Sequence, residues 1–186
     1  MLKIALTGGI GAGKSYVASL FEIMSVPVFY ADDEAKKLYD RGDVKALVKR
    51  HFGEAVYQND VLDKTKLTQA VFSNPDNLTL INNIIHPRLM EDFDCWAVAQ
   101  RSPVVILESA IIFEANLARF FDLVLTVHAP LEKRLHRLKN RNPDWTNADI
   151  NQRVASQLDQ ECKVKMADLV VWNGEEGGRE IVYLMR

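Results

Sequence analysis

Eight consecutive residues near the N-terminus constrain the fold more than any other part of the chain. An apolar run over residues 2–7 leads into Gly8-Gly9-Ile10-Gly11-Ala12-Gly13-Lys14-Ser15, and helical spacing continues to about residue 24. Glycines permit positive φ angles and let backbone N–H groups approach an anion closely. The N-terminal end of a helix also attracts negative charge. The segment therefore predicts a strand, an anion-binding loop and a helix in succession.

The spacing within this loop fits the P-loop pattern, in which a glycine, four further residues, a second glycine and a lysine precede Ser or Thr. In such loops the lysine reaches the β- and γ-phosphates, and the hydroxyl binds Mg²⁺. We therefore predict that residues 8–15 bind ATP, that Lys14 acts on the transferred phosphate and that Ser15 is a ligand of Mg²⁺. A glycine-rich turn beside an ordinary helix is the alternative, and the strand and helix that flank the loop argue against it.

Outside this loop, short apolar runs alternate with longer helical patterns, which is typical of an α/β fold with a mainly parallel sheet. We predict a three-layer P-loop NTPase fold with five strands, at residues 2–7, 27–30, 104–107, 122–127 and 169–172. The predicted helices cover residues 14–24, 32–39 and 111–118 and begin at Pro130, at the capping box of Thr146 and after Gly177-Gly178.

The alternation stops in the middle of the chain, where apolar residues recur at helical spacing. We interpret residues 43–100 as a helical insertion into a nucleotide-binding core that comprises residues 1–42 and 101–186. The basic stretch at about residues 139–148 is predicted to be a lid on that core.

Composition excludes several classes of function. The chain has 186 residues, with 23 basic and 25 acidic side chains, and this balance argues against wholesale nucleic-acid binding. No run approaches the roughly 20 apolar residues of a membrane span, and no signal peptide is recognisable. Cys95 and Cys162 lack metal-ligand or Cys-x-x-Cys spacing and fit reduced thiols. We therefore expect a cytoplasmic protein that binds neither membrane nor nucleic acid.

Polar residues follow the predicted strands at their carboxyl ends, where open α/β sheets bind ligands. Asp32 follows the second strand, where its carboxylate is expected to orient an acceptor hydroxyl and accept its proton. The alternative for Asp32 is a helix N-cap. Glu108 ends the third strand and is expected to hold magnesium through water, or else is a plain polar strand terminus. Asn173 follows the fifth strand.

A basic segment follows the fourth strand and contains Lys133, Arg134, Arg137, Lys139 and Arg141. Its arginines lie at i, i+3 and i+7, so they share one face of a helix. A solvated basic face is one interpretation. Downstream of a P-loop we favour an arginine-rich lid, in which Arg141 stabilises the charge of the transferred phosphate and closure excludes water.

Motifs along nearly the whole chain resemble those of the dephospho-coenzyme A kinase family, within the nucleoside-monophosphate-kinase-like P-loop proteins. The Thr-Gly-Gly-Ile-Gly segment at residues 7–11 is similar to the family's opening. Residues 30–32 (Tyr-Ala-Asp) resemble its Asp-Ala-Asp element, residues 84–87 (Ile-Ile-His-Pro) its His-Pro element, and residues 110–114 (Ala-Ile-Ile-Phe-Glu) its Pro-Leu-Leu-Phe-Glu element. The C-terminal matches are Gln157, Lys163, Ala167-Asp168 and Asn173-Gly174.

This resemblance implies transfer of the γ-phosphate of ATP to the ribose 3′-hydroxyl of dephospho-coenzyme A, with Asp32 as general base. It implies that Arg141 and Asn173 lie close to the adenine and that the helical insertion holds the acceptor. The expected acceptor-binding residues are Asp32, Lys36, His86, Arg88 and Glu108. Taken without the resemblance, His86 fits a capping or hydrogen-bonding residue better than a catalyst. We expect a monomer or a weak homo-oligomer.

The sequence departs from the family at Tyr30 in place of Asp, Lys36 in place of Arg, Ala110 in place of Pro and Asn142 in place of Asp. Lysine lacks the bidentate geometry of arginine at a phosphate. Two alternatives stay open: a P-loop kinase acting on a nucleoside monophosphate, gluconate or shikimate, and a nucleotide-binding switch or inactive relative. The Asn/Thr-Lys-x-Asp tetrapeptide of GTP-specific switches does not occur. The presence of Lys14, Ser15, Asp32 and Arg141 favours an active enzyme.

Overall fold

The computed structural model describes residues 1–174 and the backbone of residues 183–185. Its strands are β1 (Leu2–Thr7), β2 (Val28–Tyr30), β3 (Tyr57–Gln58), β4 (Val61–Leu62), β5 (Val104–Glu108), β6 (Leu123–His128), β7 (Leu169–Trp172) and β8 (Tyr183–Met185). Its α-helices are α1 (Lys14–Ile23), α2 (Ala31–Leu38), α3 (Gly42–Phe52), α4 (Lys64–Phe72), α5 (Pro75–Ala99), α6 (Leu131–Arg141), α7 (Asn147–Ala155) and α8 (Gln160–Met166).

Contacts between Cα atoms divide the chain into two compact units, Met1–Tyr30 with Gln100–Arg186 and Ala31–Ala99. The predicted boundary gave residues 31–42 to the nucleotide-binding core. The division by contacts instead places these residues in the second unit, where α2 and α3 both contact α5.

The first unit is built on one sheet with the strand order β2-β5-β1-β6-β7-β8. The first five of these strands are parallel, and β8 pairs antiparallel with β7. Apolar side chains of the central strands are fully or nearly fully buried against α1, and they include Leu6, Ile106, Val127 and Val171. The continuous apolar runs that identified these strands are therefore the interior of the sheet.

Glu108 lies at the carboxyl end of β5, opposite Leu6 of β1 on one side and Tyr30 of β2 on the other. The N–H of Ser109 donates to the carbonyl of Leu6 at 3.0 Å, which fixes the chain as it leaves the strand. The same edge of the sheet carries the loop between β1 and α1. Parallel pairing thus brings residues about a hundred positions apart to one edge.

The second unit contains helices α2 to α5 and the small hairpin of β3 and β4. Helix α5 runs for 25 residues and contains Pro87. Its side chain Phe93 is fully buried, as are Val44 and Val48 of α3. Asn59 and Asp60 form the hairpin turn with positive φ angles of 48° and 66°. The helical interpretation of this region is therefore correct, and the hairpin was not predicted.

The predicted α/β fold and its five parallel strands are confirmed, with three differences elsewhere. Residues 111–116 form turns and not a helix, because their backbone bonds mix three spacings and Asn116 has a φ of 54°. The helix from Thr146 ends at Ala155, and the side chain of Asp159 caps a separate α8. Strand β8 was not predicted. The helix predicted after Gly177-Gly178 lies outside the described residues.

Within the described ranges 1–174 and 183–185, none of the helices combines the length and the apolar character that crossing a lipid bilayer requires. Cys95 and Cys162 are both exposed and form no disulfide.

Candidate active site at the phosphate-binding loop

The loop between β1 and α1 has a backbone that requires glycine at particular positions. Gly8 and Gly13 have φ angles of 143° and 100°. A Cβ atom on Gly8 would lie 2.4 Å from the carbonyl oxygen of Val127, and one on Gly13 would collide with the side-chain amide of Asn173. The loop is therefore packed tightly against the ends of β6 and β7, and larger residues at these positions would displace it.

Several backbone N–H groups of the loop are available to an anion. Among the described residues, those of Gly11, Gly13 and Ser15 have no hydrogen-bond acceptor, whereas the N–H of Ala12 donates to the carbonyl of Gly9 at 3.0 Å. The first N–H groups of a helix have no partner within the helix itself. Together with the dipole of α1 they form a concave set of donors for phosphate oxygens.

Lys14 and Glu108 lie side by side at this edge of the sheet. The ammonium of Lys14 donates to the carbonyl of Gly8 at 3.1 Å and lies 3.9 Å from a carboxylate oxygen of Glu108. The two side chains are only 11% and 8% exposed, so the ion pair is shielded from water. Lys14 is therefore positioned over the loop with a carboxylate beside it, and its action on the phosphates stays a prediction.

The backbone of Ile10 is held by two side chains from distant parts of the chain. Its N–H donates to Oε1 of Gln157 at 2.7 Å, and its carbonyl accepts from Nε of Arg134 at 2.9 Å. Ile10 was predicted to bind the nucleotide, but its backbone N–H is already bound by a protein side chain. The role of Arg134 was missed: helical spacing placed it on the basic face, but it is buried and not solvated.

Arg137 and Asn173 bind the next part of the loop. Nη1 of Arg137 lies 3.4 Å from the carbonyl of Gly11 and 3.3 Å from that of Ala12. The side-chain amide of Asn173 donates to the carbonyl of Ala12 at 2.9 Å. The two side chains also contact each other at 3.4 Å. The structure therefore brings Asn173 to the loop, although its predicted place beside adenine stays a prediction.

A cleft of about 160 Å³ opens beside the loop and α1. Arg141, the last residue of α6, contributes to its wall. The remaining lining residues are Gly11, Gly13, Lys14, Ser15, Tyr16, Arg137 and Leu138. The structure thus gathers Lys14, Ser15 and Arg141, which were predicted separately, around one cleft.

The predicted lid segment begins at the end of α6. Residues 142–146 connect α6 to α7, and the ammonium of Lys139 donates to the carbonyls of Pro143 and Trp145 at 3.1 and 2.6 Å. The guanidinium of Arg153 lies 4.1 Å from the centre of the Trp145 ring. The connection is therefore tied to both flanking helices, and its movement as a lid stays a prediction.

A buried ion pair fixes the chain that follows Glu108. Lys163 of α8 is fully buried, and its ammonium donates to the carbonyl of Ala110 at 2.6 Å and pairs with Glu114 at 2.7 Å. Burial lowers the pKa of Lys163, and the hydrogen bond that its ammonium donates to Glu114 opposes this effect. Glu114 also accepts from the N–H of Leu158 at 2.9 Å. The pair therefore joins the turn after β5 to α8.

Tyr30, which stands where the family pattern has Asp, is a packing residue. Its side chain packs against the buried cluster of the first unit, and its hydroxyl donates to Glu22 at 3.1 Å. Burial, followed by the hydrogen bond with Glu22, raises the pKa of Tyr30 to about 12. Tyr30 is therefore a neutral packing residue at the end of β2, with none of the charge that an Asp would bring there.

Four predicted site residues lie in the second unit. Asp32 is the second residue of α2, inside its first turn, and is exposed. In the part of the chain that the structure describes, its carboxylate has no hydrogen bond or ion pair. Asp32 therefore does not occupy the N-cap position, which was its structural alternative.

The other three, Lys36, His86 and Arg88, have partners or are partly buried. Lys36 pairs with Asp33 at 2.7 Å, and that hydrogen bond raises the pKa of Lys36. Arg88 donates to Asp43 at 2.7 Å and to the carbonyl of Ile84 at 2.8 Å. Burial lowers the pKa of His86. These contacts stabilise the second unit, and acceptor binding by the three residues stays a prediction.

The donor set at the loop fits a magnesium ion that is bound mainly by nucleotide and water. Within residues 1–174, no group of three or more His, Cys, Asp and Glu side chains is placed to hold a metal by itself. Mg²⁺ in phosphoryl-transfer sites commonly uses one or two protein ligands, with phosphate oxygens and water completing the set. Ser15 and the nearby Glu108 agree with such a site.

The P-loop connects β1 to α1 on a parallel sheet, and acidic and basic side chains lie at the carboxyl edge of that sheet. These features define the protein as a P-loop kinase. The sequence places it more narrowly. The chain belongs to the dephospho-CoA kinase family, since the model of that family matches residues 2–177.

Similar proteins agree with this assignment. A dephospho-CoA kinase of Bacteroides fragilis is 38% identical, with 94% of this chain and 86% of that protein covered. A dephospho-CoA kinase of Porphyromonas gingivalis is 35% identical, with 93% and 86% covered. The similarity therefore extends over nearly the full length of both chains.

Solved structures share the fold. A protein of Thermus thermophilus superposes with a TM-score of 0.83 at 31% identity, covering 94% of this chain and 90% of that one. A dephospho-CoA kinase of Campylobacter jejuni gives a TM-score of 0.67 at 20% identity, covering 94% and 89%. A shikimate kinase of Aquifex aeolicus gives 0.51 at 19% identity, with 97% and 91% covered. The last two likenesses concern the fold alone.

Proposed function

We propose that the chain transfers the γ-phosphate of ATP to the ribose 3′-hydroxyl of dephospho-coenzyme A, which gives ADP and coenzyme A. The observation that carries this proposal is the P-loop, with Lys14 held over it beside Glu108, in a chain whose residues 2–177 match the dephospho-CoA kinase family. Phosphoryl transfer needs positioning and charge stabilisation more than covalent chemistry. The loop and its surrounding cations supply both.

On this proposal, the two units supply different parts of the reaction. The open N–H groups of Gly11, Gly13 and Ser15 and the ammonium of Lys14 bind the phosphates, and Arg141 and Asn173 lie on the nucleotide side. Asp32 accepts the proton of the attacking hydroxyl. Further contacts to the acceptor come from Lys36, His86, Arg88 and Glu108. Lys36 and Arg88 would keep or exchange their carboxylate partners when the acceptor binds.

Magnesium would be held by the Ser15 hydroxyl and, through water, by Glu108. It would supply positive charge that neutralises part of the charge of the transferred phosphate. We propose further that the protein acts in the cytoplasm, as a monomer or a weak homo-oligomer, with residues 139–148 as its lid. Closure of that lid would exclude water and so limit the hydrolysis of ATP.

A panel of acceptors tests the proposal. Purified protein is supplied with MgATP and, in separate reactions, dephospho-coenzyme A, nucleoside monophosphates, gluconate and shikimate, and release of ADP is measured. We expect turnover with dephospho-coenzyme A far above the rate of ATP hydrolysis without acceptor. Turnover with another acceptor alone would identify a different kinase of the same fold. ATP binding without transfer to any acceptor would favour an inactive relative.

A further inference from the structure

Ile10 differs from the other residues of the loop because side chains form hydrogen bonds with both its backbone N–H and its backbone carbonyl. Gln157 accepts its N–H and Arg134 donates to its carbonyl, and these residues lie 147 and 124 positions away in the sequence. The N–H groups of Gly11, Gly13 and Ser15 stay open among the described residues. Side chains thus hold both backbone groups of Ile10, whereas in the second half of the loop they hold the carbonyls of Gly11 and Ala12 and leave these N–H groups open.

Arg134 combines burial with a positive charge that no carboxylate neutralises directly. Its side chain is only 6% exposed, and it forms no ion pair within the described ranges. A Cβ atom on Gly9 would lie 2.6 Å from its Nη2, so the guanidinium is packed directly beneath the loop. Burying an unpaired charge costs several kcal/mol. The loop carbonyl offsets part of this cost, and a bound polyanion would offset more.

Gln157 is fixed by its surroundings. It lies between α7 and α8, and the next residue, Leu158, is anchored through its N–H to Glu114. Gln160 donates to the carbonyl of Val127 at 3.1 Å, and Lys163 of the same helix is fully buried. The amide of Gln157 therefore projects to Ile10 from a rigid base.

We propose that Arg134 and Gln157 are positioning residues for the triphosphate. By holding the two backbone groups of Ile10, they keep the loop in the shape in which its open N–H groups converge on the phosphates. The charge of Arg134 beneath the loop adds attraction for a polyanion. The inference rests on ATP binding at the loop and not on the identity of the acceptor.

Direct binding measurements test the inference. The dissociation constants of ATP and of adenosine are measured by equilibrium binding for the wild-type protein, Arg134→Met, Arg134→Gln and Gln157→Leu. Loss of a hydrogen bond from a charged donor predicts that Arg134→Met weakens ATP binding about tenfold or more. Gln157→Leu should weaken it by less, since a neutral bond is lost. Arg134→Gln keeps a neutral donor and should fall between wild type and Arg134→Met.

Adenosine and the double variant separate positioning from general damage. Adenosine has no phosphate, so its affinity should not change. Because both residues act through the backbone of Ile10, their effects are not independent. The combined effect of Arg134→Met and Gln157→Leu on ATP affinity should be smaller than the product of the two single effects. Arg119→Gln is the control, since Arg119 lies outside the loop and, among the described residues, contacts the ring of Phe120 without a hydrogen bond or ion pair. It should bind ATP as the wild type does.

ATP affinity within twofold of wild type in both folded variants, Arg134→Met and Gln157→Leu, would overturn the inference. An equal loss of adenosine affinity would also overturn it, because the whole site would then have collapsed. If Arg134→Met does not fold, unchanged ATP affinity in Arg134→Gln and Gln157→Leu decides against it. Failure of the wild-type protein to bind ATP would instead refute the proposed function.

Discussion

The arginines beside the loop of the first unit and the cations of the second unit have different kinds of partner. In the second unit, exposed or partly buried lysines and arginines pair with carboxylates, as in Lys36–Asp33, Lys37–Glu34, Lys45–Asp60, Lys49–Glu54 and Arg88–Asp43. In the first unit, Arg134 and Arg137 bind backbone carbonyls of the phosphate-binding loop. Among the described residues, neither of them nor Arg141 forms an ion pair.

This difference indicates where a ligand completes the charge balance. An exposed ion pair is neutral as a unit and contributes little to stability. Among the described residues, Arg134 and Arg137 have carbonyl dipoles as partners and no carboxylate, so bound phosphates would gain from their full charge. We therefore expect substitutions of cations in the first unit to change phosphate binding and transfer. Substitutions of paired cations in the second unit should leave the nucleotide largely unaffected.

The largest effect is expected for Lys14→Ala. The ammonium of Lys14 lies over the loop that we propose binds the phosphates, and removing a donor of this kind typically lowers the rate by a hundredfold to a thousandfold. We expect a drop in kcat/KM of about a thousandfold. Steady-state kinetics with MgATP measures it, and urea unfolding checks that the protein is folded. A drop of less than tenfold would remove Lys14 from the transfer step.

Asp32→Asn is expected to lower kcat about a hundredfold and leave the affinity for ATP unchanged, because the carboxylate serves the acceptor hydroxyl. This outcome would sharpen the contrast, with a base from the second unit and phosphate binding from the first. Asp33→Asn is a matched control, since the neighbouring carboxylate is already paired with Lys36. Equal turnover of wild type and Asp32→Asn would reduce Asp32 to a residue of the first turn of α2.

Arg141→Ala is expected to raise KM for ATP about tenfold, as loss of a charged hydrogen-bond donor predicts. The unfolding midpoint should not change, because Arg141 has no hydrogen bond or ion pair within the described residues. Lys45→Ala is the comparison in the second unit, where the cation is paired with Asp60. If both variants change KM for ATP equally, the contrast between the two units is wrong.

The smallest effect is expected for Asp43→Asn, and it should appear only in stability. The hydrogen bond from Arg88 is the main cause that lowers the pKa of Asp43 from 3.8. A lowered carboxyl pKa contributes stability above 3.8 that is lost as pH falls through the folded-state pKa. Urea unfolding should therefore show the wild type slightly more stable than Asp43→Asn at neutral pH.

The same difference should shrink as the pH falls from 3.8 through the lowered folded-state pKa, because the wild-type side chain then becomes neutral as well. A difference that stays constant, or grows, on acidification would mean that the ion pair with Arg88 is not its origin.

Local sequence patterns predicted much of the first unit. The P-loop is one contiguous segment, and the buried parallel strands are nearly continuous apolar runs, so both are visible without tertiary information. Residues 111–116 were different, since Ile112 is buried in a turn in which Asn116 has a positive φ angle. Periodicity reports burial, and a short buried turn gives the same signal as a helix.

The contacts that shape the site could not be predicted in this way. Helical spacing placed Arg134 on a basic face but could not show that Ile10 lies opposite, because only the tertiary fold joins them. Gln157 carried no local signal beyond its match to the family pattern. Strand β8 is short and lies at the edge of the sheet, where little apolar patterning is required.

The most direct measurement identifies the phosphorylated product. Purified protein is incubated with MgATP and dephospho-coenzyme A, and the product is analysed by phosphorus NMR and mass spectrometry. We predict a new phosphate monoester on the ribose 3′-oxygen, formed in equal amount to ADP. A folded protein that binds ATP but yields no such monoester would contradict the assignment of this site to coenzyme A synthesis.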